Sequence, residues 1–135
     1  MATNAYAIPL TGASRASAAG GWTLTGLTAA FLLMDAVMHV LDPAFVTQAF
    51  AQLGYPATLA RPLGVVELLC VLAYLVPETA VLGAVLLTGY LGGATATKVR
   101  LEDPWLLFSV AIGVLIWGGL WLRDARVRAL LPVRR

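Results

Sequence analysis

Four apolar runs, each close to the length a helix needs to cross a bilayer, constrain this chain more than any other feature. A hydrocarbon core of roughly 30 Å takes about 20 apolar helical residues. Trp22–Leu41, Ala60–Val76, Thr79–Thr97 and Pro104–Leu122 approach that length. A span in lipid must satisfy its own backbone hydrogen bonds, so continuous runs of this kind read as helices. A membrane barrel would instead alternate polar and apolar residues in short strands. The expected fold class is therefore all-α, an integral membrane four-helix bundle. Composition agrees: 60% of the 135 residues are hydrophobic and only 12% are charged. Such a chain cannot cover a compact globule with polar surface. An ordinary soluble enzyme, a disordered tail and a disulfide scaffold are excluded. A net charge of +2 from nine basic and seven acidic residues gives no nucleic-acid signal.

The span boundaries carry fitting chemistry. Asp42-Pro43 ends the first run, because a residue before proline is pushed out of the α region. Arg61-Pro62 opens the second and Asp103-Pro104 the fourth, with proline tolerated in a first helical turn. Pro77 separates the second and third. Trp22, Trp105 and Trp121 fall near the expected interfaces, where indole rings are favoured. Residues 1–21 read as a flexible N-terminal tail with no signal-peptide pattern. Residues 22–122 form the four-span domain and 123–135 a basic C-terminal tail. The five arginines of that tail read as a topology anchor, with anionic-lipid binding as the competing reading. Six of the nine Lys and Arg residues fall on the side of the termini: Arg15, Arg123, Arg126, Arg128, Arg134 and Arg135. Arg61, Lys98 and Arg100 fall on the other. The bias of basic residues toward the inside puts both termini in the cytoplasm. Asp42–Leu59 then forms an outward loop and Lys98–Asp103 an outward turn.

Ionisable residues within spans face the bundle interior and mark function or pairing. Asp35 and His39 are four apart on the first span and share a face. Arg61, Gly64, Glu67, Val71 and Tyr74 form a helical stripe on the second. Asp35 lies six residues before Leu41, and Glu67 six after Arg61, each ~9 Å deep at 1.5 Å per residue. Tyr90, Thr95 and Lys98 approach the same level from the third span. A polar cluster in the outer half of the bundle follows, if the stripes face each other. Candidate ligand-binding or proton-exchange residues are Asp35, His39, Arg61, Glu67, Tyr90 and Lys98. Three readings stay open for them: an ion-pair network that pins the bundle, a site for a quinone or other polar-headed lipid, and a proton path. One histidine and two carboxylates, with no second histidine, make a thin metal set, so no metal site is expected. Gly89 and Gly93 form a GxxxG pattern that suits close helix packing, inside the bundle before dimerisation. Cys70, the lone cysteine, reads as a small buried hydrophobe. No residue spacing indicates an intrinsic haem, flavin or iron–sulfur centre.

The order of motifs is also informative. Gly54-Tyr55-Pro56 precedes Arg61-Pro62-Leu63-Gly64-Val65-Val66-Glu67-Leu68. Pro77 and Leu87-Thr88-Gly89-Tyr90-Leu91-Gly92-Gly93-Ala94-Thr95-Ala96-Thr97 follow, then Trp117-Gly118-Gly119-Leu120-Trp121-Leu122-Arg123-Asp124 and Leu130-Leu131-Pro132. Over residues ~20–132, a stretch long enough for four spans, the chain resembles the DoxX-like family of small four-helix bacterial membrane proteins. That resemblance implies an inner-membrane location and little chemistry. The family is named for its likeness to a membrane subunit of an archaeal thiosulfate:quinone oxidoreductase. Some relatives are linked to thiol redox homeostasis, and distant ones act as chaperones for membrane receptors. Having only Cys70 argues against dithiol chemistry here. Glu67 is the polar residue carried over from the family's motif. The expectation is a membrane accessory protein that binds a quinone or lipid-like molecule in an outer-half polar pocket. Electrons would then pass only through a partner. The alternative is a structural or assembly subunit of a larger membrane complex, or one that pairs with its own copy. Whether the chain is an enzyme stays open. A proton-coupled carrier is disfavoured, because inverted repeats and broken helices are missing.

Overall fold

The computed structural model describes residues 14–130. Its elements are α1 (Arg15–Leu41), α2 (Ala44–Gln52), a 3-10 turn (Ala57–Leu59), α3 (Ala60–Leu75), α4 (Ala80–Arg100), α5 (Leu106–Arg123) and α6 (Ala125–Leu130). There is no strand among the described residues. Four helical segments are long and apolar enough to cross a membrane: Arg15–Leu41, Ala57–Leu75, Ala80–Arg100 and Leu106–Arg123. They close into a ring. α1 packs on α3 and α5, and α4 packs on the same two from the far side.

Several boundaries differ from the sequence expectation. α1 begins at Arg15 rather than Trp22, with the Ser14 side chain accepting the Ser17 N–H at 3.1 Å. Residues 15–21 thus belong to a helix rather than a tail; residues 1–13 lie outside the described residues. The expected Asp42–Leu59 loop contains α2. Pro43 starts that helix, and the Thr47 hydroxyl donates to Asp42 Oδ1 at 3.1 Å. Val46 and Phe50 bury one face of α2 with Ala60, against Leu63. α4 runs on to Arg100, so Lys98 is helical. α5 starts two residues after Pro104, at Leu106. There Asp103 Oδ1 accepts the Trp105 N–H at 2.8 Å, one residue before the helix. Most of the C-terminal stretch up to Leu130 is the short α6, while residues 131–135 lie outside the described residues.

The core fills the ring with Leu32, Val71, Tyr74, Leu87, Ile116 and Leu120, all at most 2% exposed. The Tyr74 hydroxyl donates to the Ile116 carbonyl at 2.9 Å and lies 3.2 Å from Thr25 Oγ1. A buried hydroxyl left without partners would be costly in an apolar bundle. The opposite faces carry Leu27, Met34, Leu69, Leu82, Leu107 and Val114, each exposed. Such a continuous apolar exterior suits lipid rather than water.

Two glycine contacts set how tightly α1 docks. A Cβ at Gly64 would lie 2.7 Å from His39 Cβ and 2.9 Å from the Ala36 carbonyl, so α3 nearly touches the α1 backbone there. A Cβ at Gly119 would lie 2.8 Å from Thr25 Oγ1, which brings α5 equally close at the other end. Gly89 and Gly93 do not serve in this way. A Cβ at either would meet nothing within 4 Å. The expected packing of the GxxxG pair inside the bundle is therefore corrected: the close contacts use Gly64 of α3 and Gly119 of α5 against α1, and Gly83 of α4 against the Tyr74 backbone of α3.

Candidate functional site

The contact at Gly64 positions the polar cluster. Glu67 lies three residues further along α3, on the face turned toward α1, and its side chain is 1% exposed. His39 lies four residues after Asp35, on the face of α1 turned toward α3. His39 Nδ1 is 3.7 Å from Glu67 Oε2 and 3.5 Å from Asp35 Oδ2. It is also 2.9 Å from the Asp35 carbonyl oxygen. A carbonyl can only accept, so Nδ1 carries the proton in that contact. From α4 the Tyr90 hydroxyl donates to Glu67 Oε2 at 3.0 Å. Glu67 Oε1 is buried without a hydrogen-bond partner.

Asp35, His39, Glu67 and Tyr90 line a cavity of about 540 Å³. That volume lies within the usual range for small-molecule sites. Its wall is mostly apolar, with Phe31, Leu32, Leu91, Phe108 and Ile112. Gly89 and Gly93 form part of the lining, and their missing side chains leave room there. Lys98 also borders the cavity, but its ammonium donates to Asp103 Oδ2 at 3.0 Å. The Trp105 N–H and then the Lys98 ammonium hold the Asp103 carboxyl below the usual carboxylate range. Arg61 is not brought into the cluster. Its side chain is 70% exposed and reaches Asp42 at 4.0 Å.

Sequence reasoning missed the contribution of α2. Phe50, Leu53 and Tyr55 border the cavity from that side. The Phe50 ring packs edge-on against His39, with centroids 5.5 Å apart. The Tyr55 hydroxyl and Thr97 Oγ1 are 2.8 Å apart, and Arg100 donates to the Leu53 carbonyl at 2.6 Å. These two bonds tie the end of α2 to the end of α4. The available signal was Val46 and Phe50 at four-residue spacing, the mark of one apolar helical face.

A second, more open groove of about 790 Å³ lies between α4 and α5. Thr88, Gly92, Thr95, Gly113 and Trp117 border it, and no ionisable side chain does. The chemistry of the chain is thus concentrated in the first cavity.

No curated protein and no solved structure matches this chain. The model of the DoxX-like family matches residues 23–119, which takes in α1 from Thr23, all of α2, α3 and α4, and most of α5. With four helices able to span a bilayer, the chain is a multi-pass membrane protein and belongs to the DoxX-like family.

Proposed function

We propose that this protein is an accessory protein of the bacterial cytoplasmic membrane, with both termini in the cytoplasm. Its role is to bind a quinone, or a similar lipid-like molecule with a polar head, in the cavity between α1, α3 and α4. One observation carries the reading: a linked set of polar groups, Asp35, His39, Glu67 and Tyr90, stands in the wall of a ligand-sized apolar cavity. Apolar walls with a few convergent polar groups are the usual make-up of a small-molecule site. A head-group oxygen would take the Tyr90 hydroxyl proton from Glu67 Oε2, and the aromatic and aliphatic walls suit a hydrocarbon tail. A bound quinone would supply the redox chemistry. The chain's own residues would hold the head group and exclude water, and Glu67 and Asp35 would take up or release protons. Electrons would reach the site from a partner.

Native mass spectrometry tests this on protein extracted from its own membrane in mild detergent. Wild type should carry one quinone or lipid-like molecule per chain. Gly93→Leu should fill the cavity and lose it while staying folded, because nothing stands within 4 Å of a Cβ there. Retention of the ligand at full occupancy in Gly93→Leu would overturn the reading.

A second reading, a structural or assembly subunit, is favoured by the groove between α4 and α5. Gly92 borders it with nothing within 4 Å of a Cβ, which leaves a shallow seat for a neighbouring helix. Small residues allow such close approach in membranes. Gly92→Leu should then release a protein partner and leave the cavity ligand in place.

A further inference from the structure

Donor count alone argued against a metal, but the folded chain gathers its donors. One ligand atom each from Asp35, His39 and Glu67 lies within 4.8 Å of the other two. An ion bound at ~2.0–2.2 Å from each needs those atoms somewhat closer, an adjustment of about 1 Å. An independent observation points the same way. Glu67 Oε1 is buried with no hydrogen-bond partner, on a side chain only 1% exposed. Buried polar atoms are almost always satisfied, so an unpartnered carboxylate oxygen in a cavity wall marks a place for a donor or a cation.

The surrounding charges do not fill that place. Lys98 is engaged by Asp103, and Arg61 stands outside with Asp42. Two carboxylates and one imidazole therefore face each other with no paired cation from the rest of the chain. A divalent ion would offset the charge of the buried Glu67, where an uncompensated charge is most costly, and that of the half-exposed Asp35 beside it. One neighbour is also suited to fix a ligand. His39 Nδ1, the nitrogen that faces both carboxylates, would give up its proton and its bond to the Asp35 carbonyl for the ion, while the Tyr90 hydroxyl holds Glu67 Oε2. Hydrogen bonds of this kind set the orientation of metal ligands.

We propose that Asp35, His39 and Glu67 bind one divalent first-row transition-metal ion in the wall of the cavity. Carboxylate and imidazole donors select zinc, manganese or ferrous iron, whereas the soft ions that prefer thiolates lack their ligands. Three protein ligands leave coordination positions open toward the cavity. The site does not depend on quinone binding, and either can fail without the other.

The test uses purified full-length protein in detergent, stripped with a chelator and free of quinone, titrated with Co²⁺. Visible absorption reports coordination, and elemental analysis after desalting reports stoichiometry with Zn²⁺. Wild type should bind one ion per chain. Glu67→Gln and His39→Gln should each weaken binding by at least ~10-fold, the loss seen when even a ligand's hydrogen-bond partner is removed. Arg61→Gln should bind as wild type. The far-ultraviolet circular dichroism of each variant, recorded without metal, shows that the helices persist. Should Glu67→Gln not fold, His39→Gln and the wild-type titration decide alone. No Co²⁺ spectrum in wild type overturns the proposal. Unchanged binding in both variants overturns it as well, because the ion would then sit elsewhere. Quinone retention is measured in a separate preparation, so its loss cannot be mistaken for failure of the metal site.

Discussion

Tyr90 is the residue on which the polar cluster depends from the α4 side. Its hydroxyl is the donor to Glu67 Oε2, and Glu67 Oε1 has no partner. Tyr90→Phe leaves the ring in place and both carboxylate oxygens without a protein donor. Side-chain hydrogen bonds within membrane helices are worth about 1 kcal/mol. The variant should lose about that much stability on unfolding in mixed micelles, and should retain its cavity ligand less well. A variant as stable as wild type would mean that water or another donor already satisfies Glu67. Asp103 offers a residue-scale prediction on pH. The Trp105 N–H and the Lys98 ammonium favour its charged form in the folded chain. Its folded pKa is thus lower than its unfolded one, ~3.9. The contribution of Asp103 is present above the unfolded value and is lost as pH falls through the folded one. Acid should loosen the α4–α5 connection, and Asp103→Asn should remove that acid sensitivity in hydrogen exchange at Trp105.

Between helices, the same residue type has opposite consequences at Gly64 and Gly93. A Cβ at Gly64 would press on His39 Cβ and the α1 backbone at 2.7–2.9 Å. Gly64→Ala should force α3 away from α1, at a cost of about 1–3 kcal/mol, and should separate Glu67 from His39. At Gly93 there is open space, so Gly93→Ala should be neutral, or stabilising by up to about 1 kcal/mol through helix propensity. Thermal unfolding of the two alanine variants side by side checks the contrast. This is also where the sequence was least legible. The GxxxG spacing of Gly89 and Gly93 is the better-known signal for helix contact, yet spacing does not say which face of a helix meets a neighbour. The face is set by the ring of α1, α3, α4 and α5, which puts Gly89 and Gly93 against the cavity and Gly64 against α1. The spans themselves were legible, because apolar length and proline position are local properties. α2 was not, because at nine residues it is too short to register as a span and its apolar face rests on Val46 and Phe50 alone.

At the scale of the whole molecule, equal depth of Asp35 and Glu67 could be reckoned along the chain, but their meeting needed the adjacency of α1 and α3. That adjacency also gives the cavity a direction. Asp35 and His39 lie toward the C-terminal end of α1, Glu67 at the middle of α3 and Lys98 near the end of α4. These ends lie together, under α2 and opposite the end that carries Arg123, Arg126 and Arg128. Four crossings place Arg15 and α6 on one side and α2 on the other. The surplus of Lys and Arg on the side of the termini predicts that side to be cytoplasmic. The cavity would then lie in the outer half of the bilayer, beneath a cover that faces the periplasm. Cysteine labelling resolves the orientation with little background, because the native Cys70 is buried. Gln52 on α2 and Ala129 on α6 are both exposed. In intact cells with a permeabilised outer membrane, Gln52→Cys should react with a membrane-impermeant maleimide. Ala129→Cys should react only after the inner membrane is opened. The reverse pattern would turn the cavity toward the cytoplasm, and any ligand or proton would then exchange with that side.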